Sequence, residues 1–113
     1  MQYPYITVSL KQKTLTLLHS EKEQITFPVA IGKPATPTPK GTWHILNKKI
    51  LTDKNVFGSY WIGLNLPGYG IHGTNQPELI GKQVSGGCIR MQNSDIQQLF
   101  QQTQIGTPVI ITE

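Results

Sequence analysis

Val84-Ser85-Gly86-Gly87-Cys88-Ile89-Arg90-Met91 holds the only cysteine of this 113-residue chain, and Ile71-His72-Gly73-Thr74 lies a short way upstream. A nucleophile needs a base, donors for the developing oxyanion and a cleft that admits substrate. A free thiol titrates at about 8.5, so little thiolate exists at neutral pH without help. His72 is the candidate base and Arg90 the candidate cation beside the sulfur. Gly86 and Gly87 allow positive φ and close approach of backbone to a ligand. Consecutive amides around such a turn can point together at one oxygen.

Each element also has a plain structural reading. A lone cysteine in a small domain usually behaves as a small buried hydrophobe. A Gly-Gly pair is ordinarily a turn, and His-Gly-Thr alone carries little. A metal site formed by Cys88 with His72, His19 or His44 would lack any short ligand pair of the C-x-x-C or H-x-x-x-H kind, so no metal is expected.

Taken together and in order, the two motifs resemble the signature of the YkuD-type L,D-transpeptidase catalytic domain. The histidine and the cysteine stand 88 − 72 = 16 residues apart, an interval that suits that family. Phe27-Pro28-Val29-Ala30-Ile31-Gly32-Lys33-Pro34, then Thr36-Pro37-Thr38-Pro39-Lys40-Gly41, is similar to the family's strand and loop before the core, and Trp61-Ile62-Gly63-Leu64 also fits. The likeness covers nearly the whole chain.

The resemblance implies a set of roles. Cys88 would form a thioester with the substrate acyl group. His72 would act as general base and later as the acid for the leaving amine, oriented by the backbone carbonyl of Gly73. The amides of Gly87 and Cys88 would form the oxyanion hole. Arg90 would bind substrate carboxylate or tune the thiolate, and Ser85, Gly86, Trp61 and Thr74 would complete the substrate-binding surface. Many relatives carry a histidine where this chain has Gly86, so any role of that second imidazole is unfilled here. The implied activity is peptidoglycan L,D-transpeptidation in the bacterial cell envelope, periplasm or wall. D-alanine would leave a tetrapeptide stem and a 3→3 cross-link would form to an acceptor amine. No cofactor is implied, and carbapenem-type β-lactams would act as covalent inhibitors. Water in place of the amine would make an L,D-carboxypeptidase. A catalytically silent cell-wall-binding module is the alternative outside enzymology.

Length and charge set the frame. The chain suits one domain over residues 1–113. Its formal charge of +4 favours anionic partners. The basic residues are scattered apart from Lys48-Lys49 and accompany no nucleic-acid motif, so nucleic-acid binding would rest on charge alone. One cysteine excludes an internal disulfide. No apolar run approaches the roughly 18 residues of a membrane span, and Met1 to Leu10 has no charged n-region followed by an apolar core, so no signal peptide is expected.

Tyr3 to Leu10 alternates with a period of two and predicts a half-buried strand. Thr14 to Leu18 and Ile25 to Ile31 predict two more, the last stopped by Gly32. Lys33 to Gly41 carries Pro34, Pro37 and Pro39, which lack amide donors, and reads as a stiff loop lining the active-site cleft. Thr42 to Leu46 resumes as strand, Asn47 to Val56 reads as a polar connection, and Tyr60 to Leu64 as a cleft wall. Ile71-His72 is a short strand, and Gln76 to Lys82 a short helical excursion with Pro77 in its first turn. Asn93 or Ser94 can cap a helix reaching Gln102 or Thr103, with Ile96, Leu99 and Phe100 on one stripe. Gly106 reads as its terminator and Pro108 to Ile111 as a closing strand. The sum is a mainly β, compact sandwich or barrel-like domain with one main helix near its C-terminus.

Overall fold

The alternation of the first residues becomes a strand, β1 (Tyr5–Ser9), that buries Ile6 and Val8, and β2 (Thr14–Leu18) buries Leu15 and Leu17 in the same way. The computed structural model describes residues 2–55 and 57–113, giving the backbone alone for 52–55. Met1 and Val56 therefore lie outside the described residues, and with them the first residue of the leader reading and the end of the expected Asn47–Val56 connection. The remaining strands are β3 (Gln24–Gly32), β4 (Gly41–Asn55), β5 (Gly58–Leu64), β6 (Gly70–His72), β7 (Gln83–Ser85), β8 (Ile89–Met91) and β9 (Pro108–Thr112). The one α-helix among the described residues is α1 (Asn93–Gln102).

The strands run β2-β1-β9-β4-β5-β6-β8-β3-β7 across the sheet, and β2 also pairs with β3. That extra pairing closes the first eight into a barrel and leaves β7 as an appendage of β3. Closure removes the free edges that an open sheet would expose. Most neighbours are antiparallel, but β1 with β9, β3 with β7 and β6 with β8 are parallel. The β6–β8 pair carries His72 and Arg90 side by side.

Ile6, Val8, Leu15, Leu17, Val29, Ile45, Ile62, Ile71 and Met91 are buried in one continuous core. Ile96 and Leu99 of α1 join it at zero exposure, and Phe100 packs at its edge. Lys48 of β4 ties down the far end of the helix. Its Nζ donates to the carbonyls of Phe100 and, at 2.7 Å, of Thr103, and sits 4.1 Å from the Phe100 ring centroid. A cation on the last carbonyls of a helix complements its dipole.

Four expectations change. The polar segment after Leu46 is no connection: β4 runs on to Asn55 and pairs with β5 through Lys48↔Ile62, Lys49↔Trp61 and Ile50↔Tyr60. Cross-strand pairing overrides the weak strand propensity of that lysine-rich run. The excursion after Gln76 is helical with Pro77 in its first turn, as expected, but shrinks to a single 3-10 turn, Pro77–Leu79. Helix α1 starts after Gln92 with no side-chain cap, because Asn93 is engaged elsewhere. The proline loop does not show itself at the cysteine. Lys33 N–H and Thr36 Oγ1 each donate to Ser85 O at 3.0 Å, and its Pro34 and Pro37 line a separate groove of about 240 Å³ with Lys11 and Lys13. It braces the strand before the cysteine from behind.

Ile62 is fully buried at the centre of β5 beneath the site-bearing face. Ile62→Ala is expected to cost about 2–5 kcal/mol, read as a lower urea midpoint at unchanged m-value.

Candidate active site

The parallel register sets Ile71 beside Ile89 and His72 beside Arg90. Ile71 and Ile89 both point into the core. Side chains alternate along a strand, so His72 and Arg90 share the opposite face. Cys88 stands just before β8, next to Gly70, whose backbone hydrogen-bonds toward its sulfur. The electrostatics agree: the Arg90 charge acts on both the imidazole and the thiol. Residues 16 apart in sequence are thereby brought together by a three-residue strand pair.

His72 is held on three sides. Its Nδ1 lies 2.6 Å from Gly73 O, so in the neutral ring Nδ1 carries the hydrogen and Nε2 keeps the lone pair. Trp61, its cross-strand partner on β5, stacks on the ring at 5.7 Å between centroids and 14° between planes. Phe57 meets it edge-on at 4.9 Å and 85°. His72 is only 3% exposed. The indole can lie flat because glycines stand beneath it. A Cβ at Gly70 would strike the Trp61 ring, and one at Gly63 would meet its Nε1 at 3.0 Å.

Burial depresses the His72 pKa to about 4, aided by the Arg90 charge and opposed by the bond to Gly73. Burial raises the Cys88 thiol, against the Gly70 hydrogen bond and Arg90, which both favour thiolate. The resting pair is thus a neutral imidazole and a neutral thiol. The thiol is half-buried, with Sγ 3.7 Å from Gly68 O.

The turn before the sulfur is built by Ser85, whose Oγ donates to Cys88 O at 2.6 Å and accepts the Gly87 N–H at 3.1 Å. Two assignments are corrected by this. Ser85 is buried and spent within the turn, so it does not line a substrate surface. The Gly87 N–H, expected to meet an oxyanion, instead donates to Ser85 Oγ in this structure. Gly87 itself adopts φ +126°, and a Cβ there would collide with the Tyr69 ring. Gly86 is exposed and a Cβ there would meet nothing within 4 Å.

Thr74 is likewise buried and structural: its Oγ1 accepts Gln76 N–H at 2.9 Å. Its backbone is clamped by Asn93, whose Oδ1 accepts Thr74 N–H at 3.0 Å and whose Nδ2 donates to Thr74 O at 2.9 Å. Asn93 imitates a strand partner, and it fits because Gly58 and Gly73 offer no Cβ to obstruct its Oδ1. An asparagine at a helix start reads from sequence as a cap, and only the tertiary contact reveals this other use. Phe57, hidden behind a polar run, carried no signal of its contact with the imidazole. Trp61 is placed as a support of that ring. His19 lies in the turn after β2, and His44 on β4 gives its N–H to Asn65 Oδ1 at 2.8 Å.

The family model for the L,D-transpeptidase catalytic domain, YkuD, matches residues 3–111. A Bacillus subtilis protein named as the L,D-transpeptidase YkuD is 47% identical over 109 residues, 96% of this chain and 66% of that protein. The catalytic domain of the Enterococcus faecium L,D-transpeptidase has a TM-score of 0.82 at 29% identity, covering 99% of this chain and 98% of that one. L,D-transpeptidase 3 of Mycobacterium tuberculosis, solved with a faropenem-derived adduct, has the same fold: TM-score 0.81 at 22% identity over 97% of this chain and 61% of that one. The chain thus spans just under two thirds of its Bacillus relative.

The clamp and the buried ring can each be tested by unfolding. Asn93→Ala removes two hydrogen bonds to Thr74 and should cost about 1–3 kcal/mol in urea unfolding. His72 has a folded pKa of about 4 against an ordinary 6.5, so the unfolded chain takes up the proton first as pH falls. Stability is whole above about pH 6.5 and drops by about 3 kcal/mol on the way to about pH 4. His72→Gln should flatten that slope in unfolding measured between about pH 7 and about pH 4.5.

Proposed function

The chain belongs to the L,D-transpeptidase catalytic domain family, and from that premise we propose that it cross-links peptidoglycan stems 3→3 through a thioester on Cys88. The observation that carries the reading is the β6–β8 register, which sets His72, with Nδ1 committed to Gly73 O, on the face of Arg90, two residues from Cys88. Nε2 is then the ring atom that takes the Sγ proton. The thiolate attacks the carbonyl between the third residue's L-centre and the terminal D-alanine. The C–S bond forms, and the oxyanion meets the Cys88 N–H. The tetrahedral intermediate collapses as Nε2–H returns its proton to the departing D-alanine amine. An acceptor amine then attacks the thioester, His72 takes its proton, and Sγ leaves to be reprotonated.

Both groups rest neutral, so the thiolate–imidazolium pair is the less stable arrangement before substrate binds. A low imidazole pKa makes the protonated ring of His72 a strong acid for the leaving amine, a step that profits from it. Arg90 stabilises the thiolate and offers a carboxylate partner at the head of the donor. The expected substrates are anionic stem peptides of the cell envelope, and the faropenem-derived adduct solved with a mycobacterial L,D-transpeptidase of the same fold makes β-lactam acylation of Cys88 the expected inhibition. Carbapenems are the expected class of covalent inhibitor.

The test is incubation with disaccharide-tetrapeptide muropeptides. Wild type should release D-alanine and form a cross-linked dimer, and Cys88→Ala should lose at least about 10³-fold of that rate. A carbapenem should add one adduct to the intact mass of wild type and none to Cys88→Ala. Equal turnover by the alanine variant would refute the reading. Tripeptide without dimer would assign the carboxypeptidase outcome instead.

A further inference from the structure

Strand register extends the site beyond the sulfur and its base. Lys49 of β4 pairs with Trp61 of β5, Trp61 with His72 of β6, and His72 with Arg90 of β8. Partners across a ladder share a face, so these four side chains form one transverse row on the outside of the barrel. A cation stands at each end, and the indole and imidazole lie between. Adjacent strands are about 4.8 Å apart, which sets the Lys49 backbone roughly 10 Å from that of His72 and Arg90 about 5 Å on its other side.

A groove of about 270 Å³ opens at the Lys49 end, lined by Lys49, Leu51, Phe57 and Trp61. It is mostly apolar and carries one charge. One layer of side chains divides it from the imidazole, since its lining residues Trp61 and Phe57 both pack against His72. The ion pair found among the described residues is Lys40 with Glu113, so Lys49 is not neutralised by a described acidic neighbour. Its neighbour Lys48 points the other way, into the helix carbonyls.

We propose that Lys49 binds a carboxylate of the acceptor stem peptide, with the peptide's aliphatic part lying over Leu51, Phe57 and Trp61. The inference rests on the transpeptidase reading and names its second subsite. The donor must occupy the Cys88 and Arg90 end, because its carbonyl bonds to the sulfur. The attacking amine must still reach His72, which takes its proton. The Lys49 groove approaches the same ring from the opposite end of the row. An anionic stem anchored there can pass over the Trp61 indole toward the thioester on Cys88, while its charge is met by an ammonium rather than left in an apolar groove. A water molecule needs no such contact, so Lys49 favours cross-linking over hydrolysis.

The test uses a preformed thioester and two acceptors, a stem peptide with free carboxylates and the same peptide amidated. In wild type, amidation should raise the acceptor KM by about tenfold, the effect of losing one charge-assisted contact. Lys49→Met should show the raised KM with both acceptors and a larger share of hydrolysed tripeptide. Lys49→Arg should restore discrimination, and Lys11→Met controls for net charge. A thermal melt confirms that each variant is folded. Wild type that ignores amidation, or Lys49→Met that discriminates as wild type does, would overturn this inference alone. A wild type that forms no thioester would overturn the transpeptidase reading and this inference with it.

Discussion

Two three-residue strands, β6 and β8, paired in parallel, hold together the residues of the proposed chemistry. Parallel strands require a crossover, and here the crossover is the run from Gly73 to Cys88 with its single 3-10 turn and β7. The pairing does two things at once. It drives Ile71 and Ile89 into the core, where their burial fixes the register. The same register turns His72 and Arg90 outward, with the cysteine just before β8. A slip by one residue would exchange the two sets, so the apolar pattern that stabilises the barrel also specifies the site.

The surrounding residues keep one imidazole in one state. Gly73 O fixes the tautomer, Trp61 and Phe57 exclude water, and Asn93 clamps the loop that carries the ring's hydrogen-bond partner. Glycines do much of the steric work. Gly58 and Gly73 admit the Asn93 amide, Gly63 and Gly70 admit the indole, and Gly87 lies under Tyr69. The result is a base whose low pKa comes from burial, oriented by a carbonyl rather than by a carboxylate.

Much of this was legible in the residues. The period-two alternation of β1, the apolar stripe of α1 and the ordered His-Gly-Thr and Ser-Gly-Gly-Cys motifs pointed to the mainly β barrel and its two central side chains. What was not legible depended on contacts distant in sequence. Lys48 and Lys49 read as a solvated connection, although one caps a helix and the other lies in a cross-strand row with Trp61. Asn93 read as a local cap because its partner, Thr74, is nineteen residues away. Ser85 and Thr74 are substrate contacts in what the resemblance implies, but both hydroxyls hold turns.

The proposed chemistry needs His72 neutral, with its hydrogen on Nδ1 and its lone pair on Nε2. Long-range proton–nitrogen correlation spectra of the imidazole in the native protein, taken between about pH 5 and about pH 8, measure this directly. An unprotonated Nε2 and a protonated Nδ1 are expected throughout, with no titration near the ordinary histidine value of about 6.5. An Nε2–H tautomer, or an imidazolium appearing near that ordinary value, would contradict it.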